Sequence, residues 1–185
     1  AARFIPNIGA LIQGTDDLQQ LSVAYPDSPL NEDHLRGIVN PLKGNPPRAG
    51  DRAPDAPVIA TDGSSTNLFD YLYNPNGQSW GWSLLVFDGR QADILPKLYD
   101  AAEKVQNWPW IHPRLILGAA LHSKEDPIAF SDLDNVAHTA YGLQDTAALI
   151  LVRPDGHIAF RGSIDDADKL EEYCSCIFKK PLAST

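Results

Sequence analysis

From about Gly50 onward, apolar runs and turn-forming residues alternate, and their spacing predicts a succession of strands and helices. Residues 83–87 (SLLVF) form a continuous apolar run between Gly81 and Asp88-Gly89, the pattern of a strand covered on both faces. Residues 114–121 (RLILGAAL) read as the next buried strand, and residues 58–60 as a short one stopped by Thr61-Asp62-Gly63. Residues 147–152 (AALILV) and 157–160 (HIAF) flank Arg153-Pro154-Asp155-Gly156. Proline fixes φ early in such a turn and glycine accepts positive φ late in it, which predicts a hairpin.

Between these runs the period changes to that of helices. Ser65 or Thr66 is placed to cap a helix through Tyr73, with Leu68, Phe69 and Leu72 on one face. Residues 91–106 carry Ile94, Leu95, Leu98, Ala101, Ala102 and Val105 at helical intervals, with Pro96 tolerable only in the first turn. Ser131-Asp132 is read as the start of a short helix through Leu133, Val136, Ala137 and Ala140, closed by Gly142 as a left-handed cap. Asp165 or Asp166 caps a last helix through Leu170, Tyr173, Cys174 and Ile177.

The resulting order is β, α, β, α, β, α, β, β, α, with an antiparallel hairpin before the last helix. That succession predicts an α/β domain of the thioredoxin-like plan, three layers around a central mixed sheet. Residues 1–49 read differently, as an irregular N-terminal extension punctuated by Pro26, Pro29, Pro41, Pro46 and Pro47. Within it residues 20–25 (QLSVAY) have the alternation of a short strand, and residues 40–50 (NPLKGNPPRAG) form a proline-stiffened connector. The expected division is an extension over 1–49 and a thioredoxin-like domain over 50–185.

Charge and composition narrow the partners. A formal net charge of -9 argues against a surface built for phosphate backbones, so no nucleic acid is expected. No apolar run approaches the roughly 18 residues that cross a bilayer, and residues 1–14 lack a basic stretch followed by a long apolar one. The expectation is a cytoplasmic protein without a membrane partner. The sequence has no methionine; either an initiator was removed ahead of a small alanine or the chain was cut from a larger one.

The chemistry expected of this fold is missing. A thioredoxin-like domain keeps its reactive thiol just after the central strand, near a helix N-terminus whose dipole lowers the thiol pKa. Here that place is Asp88-Gly89-Arg90-Gln91, and a carboxylate cannot replace a thiolate in disulfide exchange or peroxide attack. Cys174 and Cys176, the only cysteines, point about 200° apart around the last helix and are poorly placed to bridge. They read as one buried small residue and one ordinary thiol.

His34, His112, His122, His138 and His157 are scattered without metal-ligand spacing, and no P-loop, Gly-x-Gly-x-x-Gly or Gly-x-Ser-x-Gly element occurs. No catalytic, cofactor-binding or metal-ligating residue is therefore assigned. Trp80, Trp82, Trp108 and Trp110 are either exposed anchors of an interface or buried packing. The acidic run at Asp165, Asp166 and Asp168 reads as a helix N-terminus.

Several motifs carry a resemblance. Gly50-Asp51-Arg52-Ala53-Pro54-Asp55-Ala56-Pro57, then Asp62-Gly63 and Leu68-Phe69-Asp70, resembles the opening of the C-terminal domain of FAD-dependent aromatic-ring hydroxylases of the phenol hydroxylase type. Residues 148–161 (ALILVRPDGHIAFR) resemble that domain's close, and residues 21–30 (LSVAYPDSPL) are similar to the tail of the preceding flavin and substrate region. Peroxiredoxin-like proteins share the fold and single elements of these motifs.

The resemblance implies a redox-inert C-terminal domain that supports packing and subunit contacts, in a parent enzyme using FAD and NADPH. The chain alone binds neither cofactor and is inactive on this reading. Its implied partners are a flavin-binding domain, of the same or another chain, and a second copy of itself. The alternatives left open are a peroxiredoxin-like thiol peroxidase or reductase and a free-standing binding module for an aromatic ligand.

Overall fold

The central strand is the apolar run that the sequence marks most clearly. In a computed structural model, which describes residues 24–35, 46–72, 81–91, 93–118 and 126–178, strand β4 (Trp82–Phe87) sits at the middle of an eight-stranded sheet. Alternation splits its side chains: Leu84 and Val86 enter one core, Leu85 and Phe87 the other, and all four are fully buried.

On one side β4 pairs in parallel with β5 (Ile111–Leu117), which pairs in parallel with β6 (Ala129–Ser131). On the other it pairs antiparallel with β7 (Ala148–Val152), the first arm of a hairpin whose second arm is β8 (Ile158–Ser163). Gly156 closes that hairpin at φ 83°, as the sequence requires. Outermost are β1 (Glu32–Asp33), parallel to β8, and at the opposite edge the β2 (Pro57–Ile59) and β3 (Ser65–Asn67) hairpin.

Helices cover both faces. Helices α2 (Leu95–Glu103) and α4 (Ala167–Ile177) carry Leu98, Ala101, Ala102, Leu170, Tyr173 and Cys174 onto the core of Leu84, Val86, Leu115 and Leu149. Helices α1 (Phe69–Leu72) and α3 (Val136–Ala140), with Tyr141 and Leu143, cover Leu85, Phe87, Ile116 and Ile150. This is the three-layer, mixed-sheet arrangement that the sequence predicts.

Several elements differ from the sequence expectation. Residues 65–67 form β3 rather than the start of a helix, because Thr66 pairs with Val58 across a tight turn. Only at Phe69 does α1 begin, where Asp55 Oδ1 accepts the Phe69 amide at 3.0 Å. Ser131 ends β6 instead of opening α3. Helix α2 starts at Leu95, not at Gln91, because Arg90 and Asp93 hold left-handed conformations (φ 56° and 59°) and Pro96 must lie in the first turn.

Strand β5 begins at Ile111, three residues before the apolar run itself. The positions expected in strands or helices at 20–23, 73 and 119–121, the connector residues 40–45, Trp80 and His122 lie outside the described residues. Part of the stretch over 1–49 enters the sheet: β1 comes from it, and Leu35 and Ala49 are buried.

Candidate functional site

The carboxyl end of β4 is where this fold keeps its reactive group, and it is the place to look for chemistry. Asp88 follows β4 directly, and its amide donates to the Ile116 carbonyl on β5 at 3.1 Å. Its Oδ1 accepts the Arg90 amide at 2.9 Å and its Oδ2 the Gly118 amide at 2.9 Å. The carboxylate thus closes its own turn and reaches the end of the neighbouring strand. Gly89 holds φ 56°, and a Cβ there would stand 2.3 Å from Thr146 C and Ala147 N, so the turn is pressed against the start of β7 and accepts only glycine.

The third contact of Asp88 is His138, on α3. His138 Nε2 lies 2.8 Å from Asp88 Oδ1, and His138 Nδ1 lies 2.7 Å from Asp132 Oδ2. The imidazole is wholly buried and meets the Phe87 ring edge-on at 5.1 Å. Asp132 is equally committed: Oδ1 accepts the Val136 amide at 2.8 Å and Oδ2 the His138 amide at 2.8 Å, which satisfies the start of α3. Its own amide donates to Leu117 O at 2.7 Å. Three segments that end or begin at this end of the sheet are therefore tied through one ring.

The charge state follows from the contacts. Burial alone would push the His138 pKa down, but the Asp132 and Asp88 carboxylates on both nitrogens overcome it and hold the ring above its ordinary value. Burial would likewise raise both carboxyls, yet the His138 contact and the backbone amides leave Asp88 and Asp132 below the usual carboxylate range. A carboxylate oxygen faces each ring nitrogen, the arrangement that favours the protonated imidazole.

Such a ring has no free lone pair and no access to solvent, so it can neither take a proton from a substrate nor activate a nucleophile. It is a fastener in the position where the fold otherwise carries chemistry.

The sulfur atoms are elsewhere. Cys174 is fully buried in the core beneath α4, and burial pushes its thiol up to about 12; Cys176 is exposed. The amide of Phe178 donates to Cys174 O, and the Phe178 ring packs on Trp82 and Trp110 at the opposite end of β4. Six residues of strand, about 20 Å, separate that end from Asp88.

Trp108 is fully buried packing, whereas Trp82 and Trp110 are half-buried around Phe178. A second buried ion pair joins Arg161 on β8 to Asp33 on β1 at 3.2 Å; Asp33 also accepts the Leu35 and Ala49 amides. Neither the histidine fastener nor this pair was anticipated from sequence. Asp132, read with Ser131 as the start of a short helix, was the one visible signal.

Among the described residues, no group of three or more His, Cys, Asp or Glu side chains is arranged to hold a metal ion. The resemblance assigns FAD to the parent's flavin-binding domain, and the concavity on α4 does not suit its pyrophosphate. That concavity, of about 270 Å³, is lined by Asp168, Lys169, Glu171, Glu172 and Ser175, and three carboxylates there would repel a pyrophosphate.

Residues 125–182 match the phenol hydroxylase C-terminal dimerisation domain. The chain resembles the C-terminal domain of the aromatic-ring hydroxylases. The match spans β6, α3, the β7–β8 hairpin and α4, and so includes both Asp132 and His138. No curated protein matches the chain.

Among solved structures, peroxidoxin BcpB from Mycobacterium tuberculosis is similar with a TM-score of 0.55 and 15% identity, covering 72% of this chain and 99% of that one. A thiol peroxidase from Chromobacterium violaceum is similar with a TM-score of 0.51 and 17% identity, covering 73% and 91%. The flavin-dependent monooxygenase PieE, in complex with FAD and substrate, is similar with a TM-score of 0.51 and 21% identity. It covers 94% of this chain, which spans 29% of PieE. At these identities the likeness to all three is one of fold, the thioredoxin-like fold. No helix among the described residues is long and apolar enough to cross a membrane.

Proposed function

We propose that this chain is the redox-inert C-terminal domain of an aromatic, phenol-type monooxygenase that uses FAD and NADPH, and that it serves packing and subunit contacts. The observation that carries the reading is the match of residues 125–182 to a dimerisation domain of phenol hydroxylases. The geometry supports it: at the end of β4 stands a wholly buried imidazole with a carboxylate on each nitrogen, in place of a nucleophile. FAD and NADPH belong on this reading to a flavin-binding domain in the same or a partner chain, in the cytoplasm.

The thiol peroxidase alternative has no observation in its favour beyond the shared fold. Cys174 is buried with a raised pKa, and Cys176 lies on the last helix rather than after β4.

Sedimentation velocity and flavin titration of the chain test the proposal together. The expected result is a concentration-dependent dimer that takes up no FAD. A chain that stays monomeric at every attainable concentration overturns the subunit-contact role, and stoichiometric flavin uptake overturns the inert one.

A further inference from the structure

Large apolar side chains that stand exposed among the described residues are Tyr25, Leu30, Leu95, Tyr99, Leu133 and Val136. Two of these are engaged within the chain: the Tyr25 ring meets His157 edge-on at 5.1 Å, and the Tyr99 hydroxyl donates to Asp126. Only Leu133, 52% exposed, and Val136, 40% exposed, fall within the stretch that matches the dimerisation domain. Leu133 stands on the turn between β6 and α3 and Val136 opens α3 three positions on, where the sequence pattern placed both within one short helix.

That turn is rigid for reasons already described. Asp132 accepts the Val136 amide, the Asn135 amide donates to Asp132 O at 3.1 Å, and Asn135 is fixed at φ 59°. His138 then ties the whole turn to Asp88. A preordered apolar knuckle loses little conformational freedom when covered, which favours association per unit of area.

Charge points the same way. On a chain of net charge -9, two copies repel over most of their surface, so self-association is least opposed where the contact is apolar. Exposed Arg90 and Asp134 stand on the neighbouring turns with opposite signs, as a twofold contact can pair them. The two edge strands, the other surfaces that could extend across two copies, are polar: Glu32–Asp33 in β1 and Ser65–Asn67 in β3.

We propose that Leu133 and Val136 form the centre of a twofold contact with a second copy of this chain, at the carboxyl end of the parallel strands. The proposal rests on the subunit-contact reading above and specifies its surface. The test is sedimentation equilibrium of the full chain, of a Leu133→Asp/Val136→Asp double variant, of a neutral Leu133→Ser/Val136→Ser variant and of Leu30→Asp as an exposed control.

A dimer in the parent chain, a dissociation constant raised about 100-fold or more in the Asp variant and clearly raised in the Ser variant, is the expected result. Leu30→Asp should leave it unchanged. Both double variants should keep the parent's circular dichroism and melting temperature, since the replaced side chains are exposed. If the parent dimerises and the double variants dimerise as tightly, this surface is wrong and the subunit-contact role stands; if the parent is monomeric throughout, both fall.

Discussion

Replacing His138 with glutamine removes the one positive charge between Asp88 and Asp132 while keeping a side chain of similar reach. In the parent each carboxylate meets a ring nitrogen at 2.7 or 2.8 Å, and the ring is wholly buried. Each attraction contributes about 4 kcal/mol at an effective dielectric near 20, offset by the desolvation of the three groups. Without the imidazolium the two carboxylates face each other across the space of one ring and repel by about 2 kcal/mol. Removing one member of a buried charged network costs about 3–5 kcal/mol, a large share of the stability of a domain this size.

Urea denaturation followed by tryptophan fluorescence reads this loss, and its pH dependence identifies the cause. His138 is raised above its ordinary 6.5, so its contribution is complete below about pH 6.5 and disappears as pH rises through the folded value. Asp88 and Asp132 are lowered below 3.8, so theirs is complete above about pH 4 and disappears as pH falls through the folded values. The difference in stability between parent and His138→Gln should therefore be greatest between about pH 4 and 6.5 and shrink on both sides. Adding Asp88→Asn to His138→Gln should recover about 2 kcal/mol by removing the repulsion. A loss below about 1 kcal/mol, or a difference that stays flat from pH 4 to 9, would refute the imidazolium assignment.

Asp33→Ala should cost about 3–5 kcal/mol in the same denaturation assay, because both side chains of the Asp33–Arg161 pair are buried and the guanidinium would lose its counterion. The thiol reagent DTNB should titrate one cysteine in the native chain, exposed Cys176, and a second only in guanidinium, since Cys174 is buried with its thiol near 12. Rapid modification of both in native buffer would contradict the placement of α4. A peroxide-consumption assay should give no turnover that alkylation of Cys176 abolishes.

What could be read in the sequence was what short-range pattern encodes. The run at 83–87 has no polar interruption and became the central strand; Pro154 and Gly156 bracket a turn that forms as written; Gly142 holds φ 70° beyond α3. The missed strands β1, β3 and β6 have only two or three residues, too short for a period to show, and β1 and β3 are polar edge strands. Leu133 and Val136 carried helical spacing, but the helix begins only at Val136 and leaves Leu133 on the turn. The empty thiol position was visible at Asp88, yet what fills it was not. His138 lies 50 residues further on and Asp33 lies 128 residues before Arg161, separations that topology alone closes.

The Asp33–Arg161 pair also bears on where this domain can be excised. A cut at Gly50, where the sequence motifs open, would strip away the strand that borders β8 and strand an arginine's charge inside protein. It would also release the Leu30 carbonyl from the Tyr173 hydroxyl, uncovering part of the last helix. The smallest piece able to reproduce this architecture must therefore start upstream of Leu30, so the boundary drawn by motif and the boundary drawn by cohesion are about twenty residues apart.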